Sequence, residues 1–227
     1  MKITWLGQAG LLLVRGSTKI MIDPYFSDSV KKVNPKNYRR TPVNPAFFSM
    51  DPDILLFTHD HLDHYDPETA PILLENSRKA MTVLCPGSVW QKARACGGDH
   101  NYVLFDRHTQ WTEGNFRFRA VKAVHSDSHA IGVVIEDLSD NRVYYIAGDT
   151  LYSDEIFSDL PERIDFVFVP VNGVGNNMNA TDAERFCRRC GANFAVPYHV
   201  GMFDALSPEI LAAGNRLILN YGQEKEV

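Results

Sequence analysis

Apolar residues come in short runs broken by turn chemistry, and the period of those runs changes along the chain. Ile3-Thr4-Trp5-Leu6, Leu11 to Val14 and Lys19 to Ile22 are separated by Gly7-Gln8-Ala9-Gly10 and Arg15-Gly16-Ser17. That pattern predicts a meander of short strands over residues 2–22. From Asp53 the pattern alternates: strand 53–57, helix about 67–77, strand 81–84, helix about 87–96, strand 102–105, the signature of parallel βαβ units. Beyond Trp111 it returns to strands and turns. Residues 116–121 alternate, 131–135 are apolar, and Asp140-Asn141 separates them from 143–146, which predicts antiparallel ribbons. Strand 165–169, helix 181–190, strand 193–196 and a helix opened by Ser207-Pro208-Glu209 restore the α/β character. Each half combines a meander with αβ units, so the expected fold class is α/β, two sheets packed face to face with helices outside.

Residues 24–52 fit neither period and hold Pro24, Pro35, Pro42 and Pro45 before Pro52, which predicts a long irregular flap. With 227 residues and 44% hydrophobic content, residues 1–227 read as a single domain with a full core. No apolar run is long enough to span a membrane, and the N-terminus lacks a signal-peptide pattern, so a cytoplasmic protein without membrane partners is expected. The net charge of -5 and pI near 5.9 argue against nucleic acid as the main partner. Four cysteines suit a reducing compartment. Cys187-Arg188-Arg189-Cys190 falls inside the helix opened by a capping box at Thr181-Asp182-Ala183-Glu184 and stopped by Gly191, where buried thiols explain the pair better than zinc or redox chemistry.

The chemistry concentrates in Thr58-His59-Asp60-His61-Leu62-Asp63-His64, directly after the apolar run 53–57. Buried imidazoles and carboxylates at this density need a positive partner, and a metal ion is the first candidate. His59 and His61, at i and i+2 in an extended exit, project to one side, while the turn ahead of Asp66-Pro67-Glu68 can aim Asp63 and His64 at a second ion. Two ions need further ligands, and three later apolar strands end in suitable residues: His125, Asp149 and His199. The expected division gives His59, His61 and His125 to one ion, Asp63, His64 and His199 to the other, with Asp149 bridging. Asp60 and Leu62 should point away. Asp23, at the end of Lys19 to Ile22, is expected to receive an imidazole N–H and orient a ligand histidine. His100, His108 and His129 lack this strand-end context and read as ordinary histidines.

With these residues in hand, the chain resembles the metallo-β-lactamase fold superfamily, whose HxHxDH signature, distant His, Asp and last His match His59, His61, Asp63, His64, His125, Asp149 and His199. The resemblance covers nearly the whole chain and implies a four-layer αββα sandwich. Within the superfamily it is most similar to the branch containing L-ascorbate-6-phosphate lactonase and related metal-dependent hydrolases, on Thr58 to Asp66, His125-Ser126-Asp127, Ala147 to Thr150, Pro170 to Gly173 and Pro197-Tyr198-His199. Gln8 stands where related sequences often carry a histidine.

Two ions sharing a water make a hydroxide available near neutral pH, so hydrolysis is the expected outcome. The resemblance implies attack on an ester, lactone or phosphoester, with Asp63 as the group that transfers a proton. The nitrogen and oxygen ligand set suits zinc by affinity order, with iron admissible, whereas the lactonase resemblance implies manganese. A small anionic substrate is expected. Arg39 and Arg40, in the basic stretch Lys31 to Arg40, and Asn172 and Asn177, in the loop from Asn172 to Asn179, are the candidate substrate contacts. A homo-oligomer is compatible with the sequence. The competing readings are a nuclease or phosphodiesterase of the same fold, which calls for a positive field, a di-iron redox protein, and a non-catalytic metal-binding protein, which would be expected to have lost ligands.

Overall fold

The computed structural model describes residues 1–227. In chain order the first strands and helices are β1 (Lys2–Gly7), β2 (Gly10–Arg15), β3 (Thr18–Ile22), α1 (Ser29–Val33), β4 (Ile54–Leu56), α2 (Thr69–Glu75), β5 (Thr82–Cys85), α3 (Gly87–Ala95) and β6 (Asn101–Leu104). They are followed by β7 (Gln110–Glu113), β8 (Phe116–Lys122), β9 (Ile131–Asp137), β10 (Arg142–Ile146), β11 (Phe166–Pro170), α4 (Ala180–Cys190), β12 (Phe194–Tyr198) and β13 (Glu224–Glu226). The chain divides into two compact units, one of residues 1–104, 201–205 and 219–227, the other of residues 105–200 and 206–218. No helix is long and apolar enough to cross a membrane.

The first unit is built on a seven-stranded sheet in the order β13-β1-β2-β3-β4-β5-β6. β1, β2 and β3 form the antiparallel meander, and β3 to β6 run parallel. β1 therefore runs in the same direction as β3 and β4, and the residues that follow these three strands, Gln8, Asp23 and the segment from Phe57 onward, emerge at one edge. The β1–β2 turn forces Gly7 to φ +100° and Gln8 to φ +48°, a region that costs a residue with a side chain energy. Helices α2 and α3 pack apolar faces, among them Ala70, Leu73, Leu74, Val89 and Ala93, with Leu55, Phe57, Val83 and Cys85 in one core.

The second unit is built on a six-stranded sheet in the order β12-β11-β10-β9-β8-β7. β8, β9 and β10 are antiparallel neighbours and β10, β11 and β12 are parallel. β8, β10, β11 and β12 thus point the same way, so the loops holding His125, Asp149, Asn172 and His199 leave one edge. Helix α4 buries Ala183, Phe186 and Cys187, three positions on one helical face, against Tyr145, Ile156 and Val167 of this unit's core.

Several boundaries differ from the sequence expectation. Helix α4 is capped by the Asn179 side chain, which accepts from the Asp182 N–H, rather than by Thr181; two capping-type residues compete and the earlier one wins. Gly191 ends it in the left-handed conformation, φ +62°. The helix expected from Ser207 is a single 3₁₀ turn, Pro208–Ile210. There the Arg216 guanidinium donates to the carbonyls of Glu209 and Leu211, at 2.7 and 2.6 Å, taking acceptors that further helical turns would have used. The segment 24–52 contains α1 and a 3₁₀ turn at Pro45–Ser49, both too short to leave a periodic trace. Strand β13 is fully exposed Glu-Lys-Glu with no apolar alternation; it pairs with β1 through backbone and through the Lys2–Glu224 ion pair.

His100 illustrates an ordinary histidine with a structural task. Its Nδ1 accepts from the Met81 N–H at 3.2 Å and its Nε2 meets the Leu74 carbonyl at 2.7 Å, so the tautomer with the proton on Nε2 ties the end of α2 to the start of β5. Replacement His100→Ala is expected to cost about 2 kcal/mol in urea unfolding, from two backbone groups losing partners. A loss too small to resolve would show that water replaces both bonds.

Candidate metal centre

The first unit contributes the segment after β4. Thr58, His59 and His64 are buried, and the chain turns back on itself through His61, whose carbonyl accepts from the N–H groups of His64 and Tyr65. This turn gathers three imidazoles, with ring centroids of His59 and His61 4.6 Å apart and of His59 and His64 4.0 Å apart. Donor atoms of His59 and His61 lie within 4.8 Å of each other, as do those of His59 and His64 and of Asp63 and His64. Asp60 is turned elsewhere, its Oδ2 meeting the Lys92 ammonium at 2.7 Å.

Asp23 organises this half. It is fully buried at φ +44°; Oδ1 accepts from the Thr58 N–H at 2.8 Å, and Oδ2 accepts from the Thr58 hydroxyl at 2.6 Å and from His64 Nδ1 at 2.8 Å. The His64 proton therefore sits on Nδ1 and the lone pair on Nε2. Because the Thr58 hydroxyl gives its proton to Asp23, its oxygen can accept from His59 Nδ1, 3.1 Å away, which sets the same tautomer on His59. The sequence points to Gln8 only as a departure from related sequences and gives Thr58 no role of its own. Gln8, buried in the β1–β2 turn, donates its amide to Asp63 Oδ2 at 3.0 Å, and Trp5 Nε1 fixes the Gln8 backbone through its carbonyl at 2.8 Å.

The second unit brings His125, Asp149 and His199 to the C-terminal edge of its sheet. His125 Nδ1 faces the Asn176 carbonyl at 3.3 Å. Asp149 is buried; its Oδ2 accepts from Asn177 Nδ2 at 2.8 Å, and the Asn177 Oδ1 accepts from the Thr150 N–H at 3.0 Å. The Thr150 hydroxyl in turn accepts from the Val124 N–H, one residue before His125. His199, at φ +60°, has Nδ1 3.0 Å from the Asn172 amide and Nε2 3.2 Å from Asp149 Oδ1.

The Asn172 amide supplies a test of whether these residues suit a cation. Oriented with Nδ2 toward His199, it leaves its own Oδ1 buried without a partner. A half-turn of the amide places Oδ1 on a His199 Nδ1–H and leaves the Nε2 lone pair facing the Asp149 carboxylate, an arrangement that calls for a positive ion. The all nitrogen and oxygen donor set fits a borderline or hard divalent metal.

Of the expected substrate contacts, Asn172 and Asn177 are engaged with His199, Asp149 and Thr150, which makes them supports of the ligands. Arg39 donates Nη1 to the Tyr25 carbonyl at 2.6 Å, and Arg40 lies over the Tyr38 ring at 5.9 Å. Cys187 and Cys190 lie apart from these residues in the second unit, on α4; burial pushes the Cys187 thiol up to about 12 and the Cys190 thiol higher still. Neither is a thiolate at neutral pH.

Comparison with known proteins places these observations in a family. The Beta-lactamase superfamily domain matches residues 18–200. A UPF0173 protein of Pyrococcus furiosus is 29% identical over 92% of this chain and 88% of its own length. A UPF0173 metal-dependent hydrolase of Nitratidesulfovibrio vulgaris is 26% identical over 90% and 82%. Among solved structures, a possible metal-dependent hydrolase from Veillonella parvula superposes with TM-score 0.78 at 15% identity, over 100% of this chain and 99% of that one. An isothiocyanate hydrolase from Delia radicum gut bacteria gives 0.75 at 20% identity, over 100% and 99%. The fold is the αββα sandwich of the metallo-β-lactamase type.

Two outcomes follow. Asn172→Leu removes the acceptor that orients His199 and is expected to weaken metal retention about 10-fold or more in chelator competition, with little change in the thermal midpoint of the metal-free protein. Cys187 and Cys190 are expected to resist iodoacetamide at pH 8 in the folded protein and to react once it is unfolded in urea, because their raised pKa keeps them protonated until the fold opens.

Proposed function

Because the chain belongs to the Beta-lactamase superfamily domain family and is a metal-dependent hydrolase of that fold, we propose that it is a dinuclear enzyme acting on a small anionic ester, lactone or phosphoester. His59, His61 and His125 would hold one ion, Asp63, His64 and His199 the other, and Asp149 would bridge. One observation carries the reading: His59, His64, His125 and His199 each have Nδ1 next to a protein oxygen or amide, so a common tautomer presents Nε2 from all four. His100, with its structural task, has the opposite tautomer.

Two divalent ions so held would supply a nucleophile from water near neutral pH and electrophilic assistance to the substrate. The chain's own residues then do the rest. Asp63, kept in orientation by the Gln8 amide, takes and returns a proton at its carboxylate during attack and leaving-group departure. Asp23 and Thr58 hold His59 and His64 in place without contacting substrate. The donor set is compatible with zinc or manganese, and the competing nuclease reading lacks a positive field at net charge -5.

Elemental analysis of protein purified without chelator tests the reading. Two ions per chain are expected, falling to one or fewer in His59→Ala, with turnover of lactones, aryl esters or phosphodiesters lost at least 100-fold in that variant. Far less than two ions per chain, or unchanged turnover in His59→Ala, would sink it.

A further inference from the structure

Arg39 stands in the first unit with its charge only partly answered. Nη1 donates to the Tyr25 carbonyl and the guanidinium lies over the Tyr25 ring at 5.2 Å, yet Nε and Nη2 are buried without any hydrogen-bond partner. The same Nε/Nη2 edge is what this protein uses elsewhere to grip carboxylates: Arg107 holds Asp159 through it, and Arg163 holds Asp165. Burial disfavours the Arg39 charge and lowers its pKa, and the neighbouring Tyr221 hydroxyl, Tyr25 and the Asp28 carboxylate offset this only in part. Buried donors left unmet cost on the order of 1–3 kcal/mol each, so the arrangement is expensive unless the edge has an occupant in the working enzyme.

The surroundings say what the occupant is. The Ser29 hydroxyl oxygen is also buried without a partner, in the segment that follows Asp23. Lys31 and Arg40 lie over the Tyr38 ring, at 5.7 and 5.9 Å, and Lys36 and Arg40 make no ion pair, so the segment presents positive charge in a protein of net charge -5. Arg39 is also close to the chemistry along the chain: its anchor, the Tyr25 carbonyl, is two residues from the carboxylate that holds His64.

We propose that Arg39 is the specificity-determining residue of the site, receiving a carboxylate or phosphate group of the substrate on its Nε/Nη2 edge. The geometry of that edge suits two parallel N–H donors to two oxygens of one acid group. The inference rests on the hydrolase reading for where the substrate lies.

The test uses the metal-loaded protein with inorganic phosphate and malonate as probes. Calorimetric titration and the anion-induced rise in thermal midpoint are measured for wild type, Arg39→Met and Arg39→Lys, with metal content determined in each sample. Wild type is expected to bind the acid probe its substrate resembles, which distinguishes phosphate from carboxylate. Arg39→Met is expected to weaken that binding at least tenfold and abolish the rise in midpoint. Arg39→Lys, which keeps the charge and can still reach the Tyr25 carbonyl but lacks the two-donor edge, is expected to fold and to bind more weakly than wild type. A merely structural Arg39 would lower the midpoint of the ligand-free protein and leave the anion-induced rise intact in Arg39→Lys; that result, or absence of binding of either probe by wild type, overturns the proposal. An Arg39-dependent anion response in protein that holds no metal would overturn the hydrolase reading alone.

Discussion

A carboxylate with no exposure to solvent is tolerable only if its charge is fully answered, and Asp23 is answered by three donors: one backbone N–H, one hydroxyl and one imidazole. All three belong to the segment that begins at Thr58, so one buried charge joins the end of β3 to the exit of β4. The arrangement is over-determined in a useful sense. Thr58 cannot donate its hydroxyl proton to Asp23 without turning an oxygen lone pair toward His59, and His64 cannot reach Asp23 without carrying its proton on Nδ1. The left-handed conformation of Asp23, at φ +44°, is a local cost that this network offsets.

Strand direction does the corresponding work at a larger scale. In the first unit, β1, β3 and β4 point one way, which is why Gln8, Asp23 and the histidine segment leave the sheet at one edge although up to 56 positions separate them in the chain. In the second, β8, β10, β11 and β12 share a direction, and their exits carry His125, Asp149, Asn172 and His199. Loops at strand ends can hold polar chemistry because the sheet behind them is rigid and apolar. Here the supports come from the same edge as the ligands they support, Gln8 for Asp63 and Asn172 for His199, so each pair is set by the same sheet.

This explains which parts were legible in the sequence. A candidate ligand announces itself by residue type at the end of an apolar run, so His59, His61, Asp63, His64, His125, Asp149 and His199 stand out, and the strands that carry them follow from their periodicity. A support does not. Thr58 reads as an ordinary strand-end threonine and Gln8 as turn chemistry, because their partners are fixed by register between strands distant in sequence. The loop from Asn172 to Asn179 shows the same limit: its amides signal hydrogen bonding, but only the fold directs Asn177 to Asp149. Strand β13 left no trace because edge pairing through backbone needs no apolar pattern, and the turn after Ser207 stays short because Arg216 takes the carbonyls.

The same network bears on how folding and metal binding are linked. Three imidazoles, with the His59 ring centroid 4.6 Å from that of His61 and 4.0 Å from that of His64, stand beside the Asp63 carboxylate in a cluster that hydration would stabilise in an unfolded chain and that burial penalises. The backbone and hydroxyl bonds of Asp23 compensate for its own burial but do nothing for the Nε2 lone pairs of His59 and His64. Those lone pairs would be stabilised by cations, and only the folded arrangement brings them together. The free energy of binding an ion there would then be partly free energy of folding for this segment. The supports Asp23, Thr58 and Gln8 fix the tautomers and the carboxylate before any ion arrives, which reduces the ordering that binding itself must impose.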